Sequence, residues 1–214
     1  MTPYPQTLPR PLAARVAALS DPPASFDAEV ASAALIAGAN AALAAGKTKY
    51  ADRAGILGLR QWVAADLNRR YQLGMSADAV TITCGVEEAL FIAVTCLGHG
   101  GQVMFPLLPT DSLVYLPQWQ TAADDLLNRL DAAQHILWDM RQGDAPNHPA
   151  QNPERAARTV SIGVFPAVGE GWRVGWLAGH ADHAQLRAYK QSLSICTPSV
   201  SQWAVLAHLE ATPA

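Results

Sequence analysis

The stretch TVSIGVFPAVGEGWRVGW, residues 159–176, decides how the rest of the chain is interpreted. Its first six residues, Thr159–Val164, are rich in β-branched side chains and predict a strand. A glycine-rich turn follows, and we predict a second strand over residues 173–178. The stretch contains no lysine, and the functional hypotheses for the chain depend on this absence.

Strand-like and helix-like segments alternate along the rest of the chain, which predicts an α/β fold. Helices are predicted over residues 26–45, from about 56 to near Gly74, and over 86–97, 124–130, 181–192 and 200–210, the last with Pro198 at its first position. Further strands are predicted over residues 79–83, 102–105 and 135–138, and a polar loop over 141–156. We expect three layers, with a mainly parallel sheet between helices, in a single domain over 26–214 that follows an N-terminal arm, residues 1–25.

Composition excludes several classes of protein. Half of the 214 residues are apolar and 15% are charged, which indicates a globular chain with a formal net charge of −3. The 15 Lys and Arg residues form no basic run, so no nucleic-acid partner is expected. No apolar stretch approaches the roughly 20 residues needed to span a bilayer, and the proline-containing N-terminus does not resemble a signal peptide. We therefore predict a cytoplasmic protein without a membrane partner.

The cysteines and histidines do not form a recognisable site. Cys84, Cys96 and Cys196 lack CxxC spacing and are predicted to be core or near-core thiols rather than disulfide or zinc ligands. None of the six histidines forms a metal-binding helical pair or accompanies a serine nucleophile motif, and no base partner for Ser161 can be identified.

Four motifs occur in a fixed order between about residues 45 and 205. They are the segments Tyr50–Arg60, YADRAGILGLR; Thr83–Leu90, TCGVEEAL; Gly171–Trp176, GWRVGW; and Cys196–Gln202, CTPSVSQ. Their order and spacing resemble those of the class I/II aminotransferases, which are pyridoxal-phosphate (PLP) enzymes of fold type I. The resemblance implies a shortened version of the large domain of these enzymes.

The resemblance also implies roles for particular residues. Gly85, Val86 and Glu87 would form the turn and helix start that hold the cofactor phosphate, because free backbone N–H groups and the helix dipole favour an anion there. Arg173 would pair with the same phosphate. Asp139 would hold the pyridine nitrogen protonated.

Tyr50 would reach the phosphate in the partner subunit of a homodimer. Each of these residues also has an ordinary structural interpretation. Gly85 could be a simple strand-to-helix turn, Arg173 an arginine beneath the sheet, and Asp139 a helix cap. Tyr50 could be a surface or interface residue.

The sequence departs from the family at the residue that its chemistry requires. In the family, a lysine in S-x-S-K forms the Schiff base with PLP, eight residues before the arginine that Arg173 matches. Here that position is Phe165, and the whole chain contains only Lys47, Lys49 and Lys190. No catalytic residue is therefore predicted.

Other expected cofactor contacts are altered or absent. Glu87 would repel a phosphate unless it is protonated or turned away, Asp111 replaces an aromatic residue that borders the cofactor, and Gln142 replaces the tyrosine that bonds its phenolic oxygen. The family's N-P-x-N-P-T-G segment has no counterpart before His135. We also expect the family's small C-terminal domain, with its carboxylate-binding arginine, to be absent.

Three functions are compatible with this pattern. The first is an aminotransferase-like protein without transaminase activity and without a cofactor, which acts by binding a protein partner or a second copy of itself. The second is a lysine-independent binder or enzyme that uses the cleft in which the family holds its cofactor. A phosphate or small anion would rest on the Gly85 helix start and Arg173, and Glu87, Asp111 and Asp139 would supply acid–base or cation-binding groups. The third is an active PLP-dependent aminotransferase that acts on an amino acid with a lysine supplied from elsewhere, such as Lys49 of a partner subunit.

Overall fold

The structure is a computed structural model that describes residues 32–97, 103–105, 120–121, 135–141, 147–179 and 183–212. Three predictions lie outside these residues: the N-terminal arm over 1–25, the first turns of the helix expected from residue 26, and the helix expected over 124–130. The cofactor-site candidates Asp111 and Gln142 are also outside them.

A sheet of six strands forms the centre of the described chain. Its strands are β1 (Val80–Thr83), β2 (Val103–Phe105), β3 (Gln120–Thr121), β4 (His135–Asp139), β5 (Thr159–Val164) and β6 (Gly175–Gly179), in the order β1-β6-β5-β4-β2-β3. Strand β6 runs antiparallel to both of its neighbours, whereas the other pairs are parallel. The prediction of a mainly parallel sheet is confirmed.

Six α-helices accompany the sheet within the described ranges. They are α1 (Ala33–Ala44), α2 (Leu57–Tyr71), α3 (Val86–Leu97), the single turn α4 (Pro153–Ala156), α5 (His183–Ser194) and α6 (Ser199–Ala211). The bounds of α3 are those predicted. None of these helices has the length and apolar character needed to cross a bilayer.

Separate apolar clusters cover the two faces of the sheet. On one face, side chains of α1, α2 and α6, including Leu35, Leu59 and Val205, pack against strand residues such as Trp138. On the other face, α3 and α5 pack against Val160, Ile162 and their neighbours. Because successive strand residues point to opposite faces, β4 and β6 contribute to both clusters, through Trp138 and Leu137 and through Trp176 and Leu177. The predicted three-layer α/β architecture results.

The motif residues around Gly55 hold three elements together. Gly55 has a φ of 93°, and a β-carbon there would lie 2.4 Å from the Ile82 side chain, so only glycine fits at this junction. The buried amide of Gln202 accepts a hydrogen bond from the backbone N–H of Ile56 at 2.8 Å and donates one to the carbonyl of Thr197 at 2.7 Å. The Thr197 hydroxyl donates to the Ile82 carbonyl at 3.0 Å. Helix α2, strand β1 and helix α6 are thereby tied by buried polar contacts, which are costly to leave unmade.

Several predicted boundaries are wrong for local reasons. The segment 141–156 is not entirely a loop: a short 3-10 turn occupies Pro149–Gln151, and α4 follows it, with the Asn152 side chain accepting a hydrogen bond from the N–H of Glu154 at 2.9 Å. Helix α2 ends before Gly74, because Gln72 already adopts a left-handed conformation with φ 56°.

The start of α6 also differs from the prediction. Pro198 is the N-cap rather than the first helical residue, and the neighbouring Thr197 hydroxyl bonds to β1 instead of capping the helix. A sequence pattern for capping does not reveal that a tertiary partner competes for the same hydroxyl.

Candidate functional site

The turn between β1 and α3 has the form that the motif predicts. Gly85 adopts a φ of 85°, a conformation that favours glycine, and it allows the chain to turn directly from strand into helix. The hydroxyl of Thr83 donates to the Gly85 carbonyl at 2.8 Å, and the Glu88 carboxylate accepts from the Cys84 N–H at 2.6 Å. Val86, the first residue of α3, is buried beneath the turn. The turn is therefore fixed by its own side chains.

Arg173 lies across this turn. Its guanidinium donates a hydrogen bond to the Cys84 carbonyl at 3.1 Å. If residue 85 had a β-carbon, that atom would lie only 3.0 Å from Cζ of Arg173. A β-carbon at Gly175 would lie 2.6 Å from the backbone of Gly85, so the start of β6 abuts the turn directly. The motif glycines thus permit the close approach of two backbone segments, the β1–α3 turn and the start of β6, with the Arg173 side chain against the turn.

The conformation of Arg173 corrects two interpretations. Arg173 has a φ of 52° and precedes β6, so it does not belong to the strand predicted over residues 173–178. Its side chain is 53% exposed, so the alternative of a structural arginine beneath the sheet is wrong. The left-handed backbone costs about 1–2 kcal/mol for a residue with a side chain, and it directs the guanidinium towards the turn.

Four charged side chains form a continuous ion-pair chain at the carboxyl ends of β1 and β4. Arg141 binds the Asp139 carboxylate through Nε at 2.9 Å and Nη2 at 2.6 Å, and its backbone N–H also donates to Asp139 at 3.0 Å. The Glu87 carboxylate lies 3.6 Å from Arg141 Nη1 and 3.3 Å from Arg173 Nη1. We call Asp139, Arg141, Glu87 and Arg173 the ion-pair chain.

The two ends of the ion-pair chain differ in strength. The Asp139 side chain is 3% exposed, and its two-point contact with Arg141 is of the kind that gives short, directional charge-assisted bonds. Glu87 and Arg173 are both more than half exposed, so their pair is worth at most about 1 kcal/mol. The buried end is therefore held more firmly than the exposed end.

Phe165 lies in the apolar core rather than in an open cleft. It is 1% exposed, and its ring centroid is 5.7 Å from that of Trp62 on α2, with the planes tilted by 55°. Nothing polar is available on this side chain.

The three lysines lie elsewhere. Lys47 is positioned over the Trp203 ring, Lys49 is exposed, and the amine of the fully buried Lys190 donates to the Ser194 hydroxyl on the same helix at 3.2 Å.

The Cys84 thiol next to Gly85 is not activated as a nucleophile. Burial, and then the neighbouring Glu88 carboxylate, raise the pKa of this thiol, against smaller opposing effects of Thr197, Lys190 and Ser194. The thiol is protonated at neutral pH as a result. All three cysteines are free and partly buried, in agreement with the prediction of near-core thiols without disulfides.

Ser161 has a histidine partner that the sequence did not reveal. His148 Nε2 lies 2.9 Å from the Ser161 hydroxyl, and His148 Nδ1 accepts a hydrogen bond from the Ala150 N–H at 3.1 Å. Because Nδ1 is an acceptor, the hydrogen-bond network assigns the proton of the neutral ring to Nε2, which donates to Ser161. Burial, with Arg70 as a smaller cause, lowers the pKa of His148 to about 4. His148 in this arrangement is not a base for Ser161, and the pair is structural.

A cavity of about 540 Å³ lies on the α2 and α6 side of the sheet. Trp62, Met140, Trp176 and Leu209 give it apolar walls, and Arg69, Arg70, Arg141 and Asp66 contribute charge. Asp66 pairs with Arg69 at 2.6 Å and with Arg70 at 2.7 Å. The size and the excess of arginine suit a small organic anion with an apolar body.

Two further candidates can be assessed in the described part of the chain. Tyr50 is 79% exposed and makes no contribution to the core. Among the described residues, no three His, Cys, Asp or Glu side chains are grouped so as to hold a metal ion. Asp111, which the cation hypothesis also needs, lies outside them.

The residues of the cleft do not fit PLP as the family binds it. The Asp139 carboxylate, which would meet the pyridine nitrogen, is held at both oxygens by Arg141. The Glu87 carboxylate lies against Arg173, where the phosphate would be expected. Phe165 supplies no amine. Asp139 and Arg173, two of the groups that would hold the cofactor, are therefore each engaged with a residue of the chain itself.

The fold is that of a reduced PLP-transferase-like large domain, with helices on both faces of a mixed sheet. No protein-family model matches it. A probable aspartate aminotransferase from Methanocaldococcus jannaschii is 36% identical over 109 residues, which are 50% of this chain and 28% of that protein.

Solved structures agree with this assignment. An Escherichia coli protein for which a methionine aminotransferase function was identified superposes with a TM-score of 0.69 at 20% identity, over 88% of this chain and 65% of its own. N-succinyldiaminopimelate aminotransferase from Mycobacterium tuberculosis superposes with a TM-score of 0.68 at 22% sequence identity. The superposition covers 87% of this chain and 64% of that one. These neighbours share the fold of the chain, and the predicted resemblance to aminotransferases is confirmed at the level of fold and of partial sequence similarity. The chain covers less than two thirds of the length of each of these relatives.

Proposed function

We propose that this chain is an aminotransferase-like protein that lacks transaminase activity and acts in the cytoplasm by binding a partner or a small anionic ligand. The observation that carries this proposal is Phe165, an apolar side chain buried against Trp62 where the family has its Schiff-base lysine. Transamination requires an amine at that position, both to hold the cofactor and to move the proton. Phe165 can do neither.

The competing function is an active PLP-dependent aminotransferase with a lysine from elsewhere. Lys190 donates to Ser194 within α5 and is fully buried, so an aldehyde cannot reach its amine without local opening. Lys47 lies over Trp203 at 5.2 Å from the ring centroid. Lys49, exposed and next to Tyr50, is the lysine that a second subunit would have to supply.

Incubation with PLP separates the two functions. We expect no internal-aldimine absorbance band and, after borohydride reduction, no covalent pyridoxyl adduct at a single lysine by mass spectrometry. A stoichiometric adduct would contradict the proposal. In that case Lys49→Gln and Lys190→Gln, compared as matched variants, identify the lysine that carries it.

We infer further that the partner is a second copy of the chain, in contact through the side that carries Tyr50. Three large apolar side chains on the segments around it are at least half exposed: Leu43, Tyr50 and Leu57. Exposed apolar groups of this kind are stabilised when another protein surface covers them.

Light scattering after size-exclusion chromatography tests the dimer. The purified chain is expected at twice its mass of 22.8 kDa, and Tyr50→Ser with Leu57→Ser is expected to shift it towards the monomer. Leu193→Ser is the matched control, because Leu193 on α5 is exposed to a similar degree. A monomeric wild-type chain would contradict this part of the proposal.

A small anionic ligand has a separate place to bind. The cavity next to α2 combines two tryptophan side chains, Trp62 and Trp176, with arginines that outnumber its acidic lining residue. This combination supports an aromatic or aliphatic carboxylate as the ligand class.

A further inference from the structure

The Glu87 carboxylate lies between two guanidinium groups at the start of a helix. It is 3.3 Å from Arg173 Nη1 and 3.6 Å from Arg141 Nη1, and Glu87 is the second residue of α3. This is the place in the described cleft where positive charge from two side chains and from the helix dipole is concentrated. We propose that Glu87 is an internal counter-ion that closes this place, so that the wild-type chain does not take a phosphate group there.

The contacts explain why a carboxylate in this position excludes a phosphate. A phosphate group on the β1–α3 turn would need the Arg173 guanidinium, which instead donates to the Cys84 carbonyl and pairs with Glu87. It would also approach the Glu87 carboxylate closely, and two anions at short distance repel each other. The Glu87 carboxylate also pairs with Arg141 through Nη1, while the Asp139 carboxylate pairs with the same guanidinium through Nη2. The ion-pair chain is neutral without any ligand.

The neighbouring Glu88 does not have this role. Its carboxylate turns back and accepts the Cys84 N–H at 2.6 Å, so it caps the turn instead of facing the arginines. The two adjacent acids carry the same charge in the same helical turn but differ in what they contact. They therefore form a matched pair for an experiment.

Calorimetric titration with inorganic phosphate tests the proposal. Glu87→Gln removes the charge and leaves the size unchanged, and since Glu87 is exposed the fold should be retained, which far-ultraviolet circular dichroism checks. We expect the Kd for phosphate to fall about fivefold relative to the wild type, because Arg173 no longer has to leave Glu87, a pair worth about 1 kcal/mol. Glu88→Gln is expected to leave the Kd within about twofold of the wild-type value, since neither arginine is released.

The double variant E87Q/R173Q locates the site. It should lose the gain in affinity seen with E87Q alone. Wild-type binding as tight as that of E87Q, an equal gain with E88Q, or a gain that persists in the double variant would each overturn the proposal. Inorganic phosphate has no aldehyde, so this result is independent of whether any lysine of the chain forms a Schiff base with PLP.

Discussion

Replacement of Phe165 by alanine is expected to lower the free energy of unfolding by about 3–5 kcal/mol. The side chain is 1% exposed and belongs to the apolar cluster beneath α2 and α6, where its ring contacts that of Trp62. Removing it leaves a cavity that the surrounding side chains can fill only in part. Chemical denaturation of the wild type and the variant measures the change. The slope of the unfolding free energy against denaturant concentration should be the same for both.

Two further variants at this position separate packing from a lost catalytic role. Phe165→Leu keeps much of the apolar volume and should cost less than about 1.5 kcal/mol. Phe165→Lys introduces an amine without a partner into the core, so it should destabilise the chain at least as strongly as alanine does. If the lysine variant were instead as stable as the wild type and formed an aldimine with PLP, residue 165 would face an open cofactor cleft and the proposed function would be wrong.

Much of the fold was predictable because it depends on local patterns. Helix α3 follows a glycine and carries apolar residues at helical spacing, and its predicted bounds agree with the structure. The strands β4 and β5 are short runs of apolar, β-branched or aromatic residues, and it is these residue types that identify them from the sequence.

The motifs that carry the family resemblance proved to be largely structural. Gly55 and Gln202 join α2 to β1 and α6, and Gly85 and Gly175 allow close backbone contact. Such residues are required by the fold whether or not a cofactor binds. Under the proposed function, this explains how a chain can keep these motifs while Phe165 occupies the position of the family's lysine.

The ion-pair chain was not predictable from spacing. Arg141 follows Asp139 by two residues, and that local pairing could have been suspected from the sequence. Its contact with Glu87, more than fifty residues earlier, depends on how the β1–α3 turn meets the end of β4. Similarly, the left-handed conformation of Arg173 is imposed by tertiary contacts and contradicts the strand that its apolar neighbours predict.

The pairing of His148 with Ser161 was also hidden, and it gives the second large expected effect. The ring is 3% exposed and lies between the Tyr71 and Trp138 rings at 5.1 and 5.9 Å. Both of its nitrogens are in hydrogen bonds, and the bond that Nδ1 accepts from the Ala150 N–H needs the neutral form. Burial lowers the pKa of His148 from 6.5 to about 4 in the folded chain. The unfolded chain therefore binds a proton at a pH where the folded chain does not.

The direction of the pH effect follows from this difference. Above about pH 6.5 the ring is neutral in both states and the folded chain keeps its full stability; between pH 6.5 and pH 4 the unfolded state is favoured progressively. The expected loss is about 3 kcal/mol when the pH reaches 4, since each pKa unit corresponds to about 1.4 kcal/mol.

Denaturation curves across this pH range, for the wild type and for His148→Gln, measure the effect. His148→Gln cannot titrate, so its stability should depend less on pH over this interval, although it starts lower at neutral pH because the packing between the two rings is changed. His135→Gln is the control, and it should keep the wild-type slope because His148 remains in place. The wild type and His148→Gln could instead lose stability in parallel from pH 6.5 to 4. That result would mean that the pKa of His148 is the same in the folded and unfolded chains, and the buried neutral pair with Ser161 would be wrong.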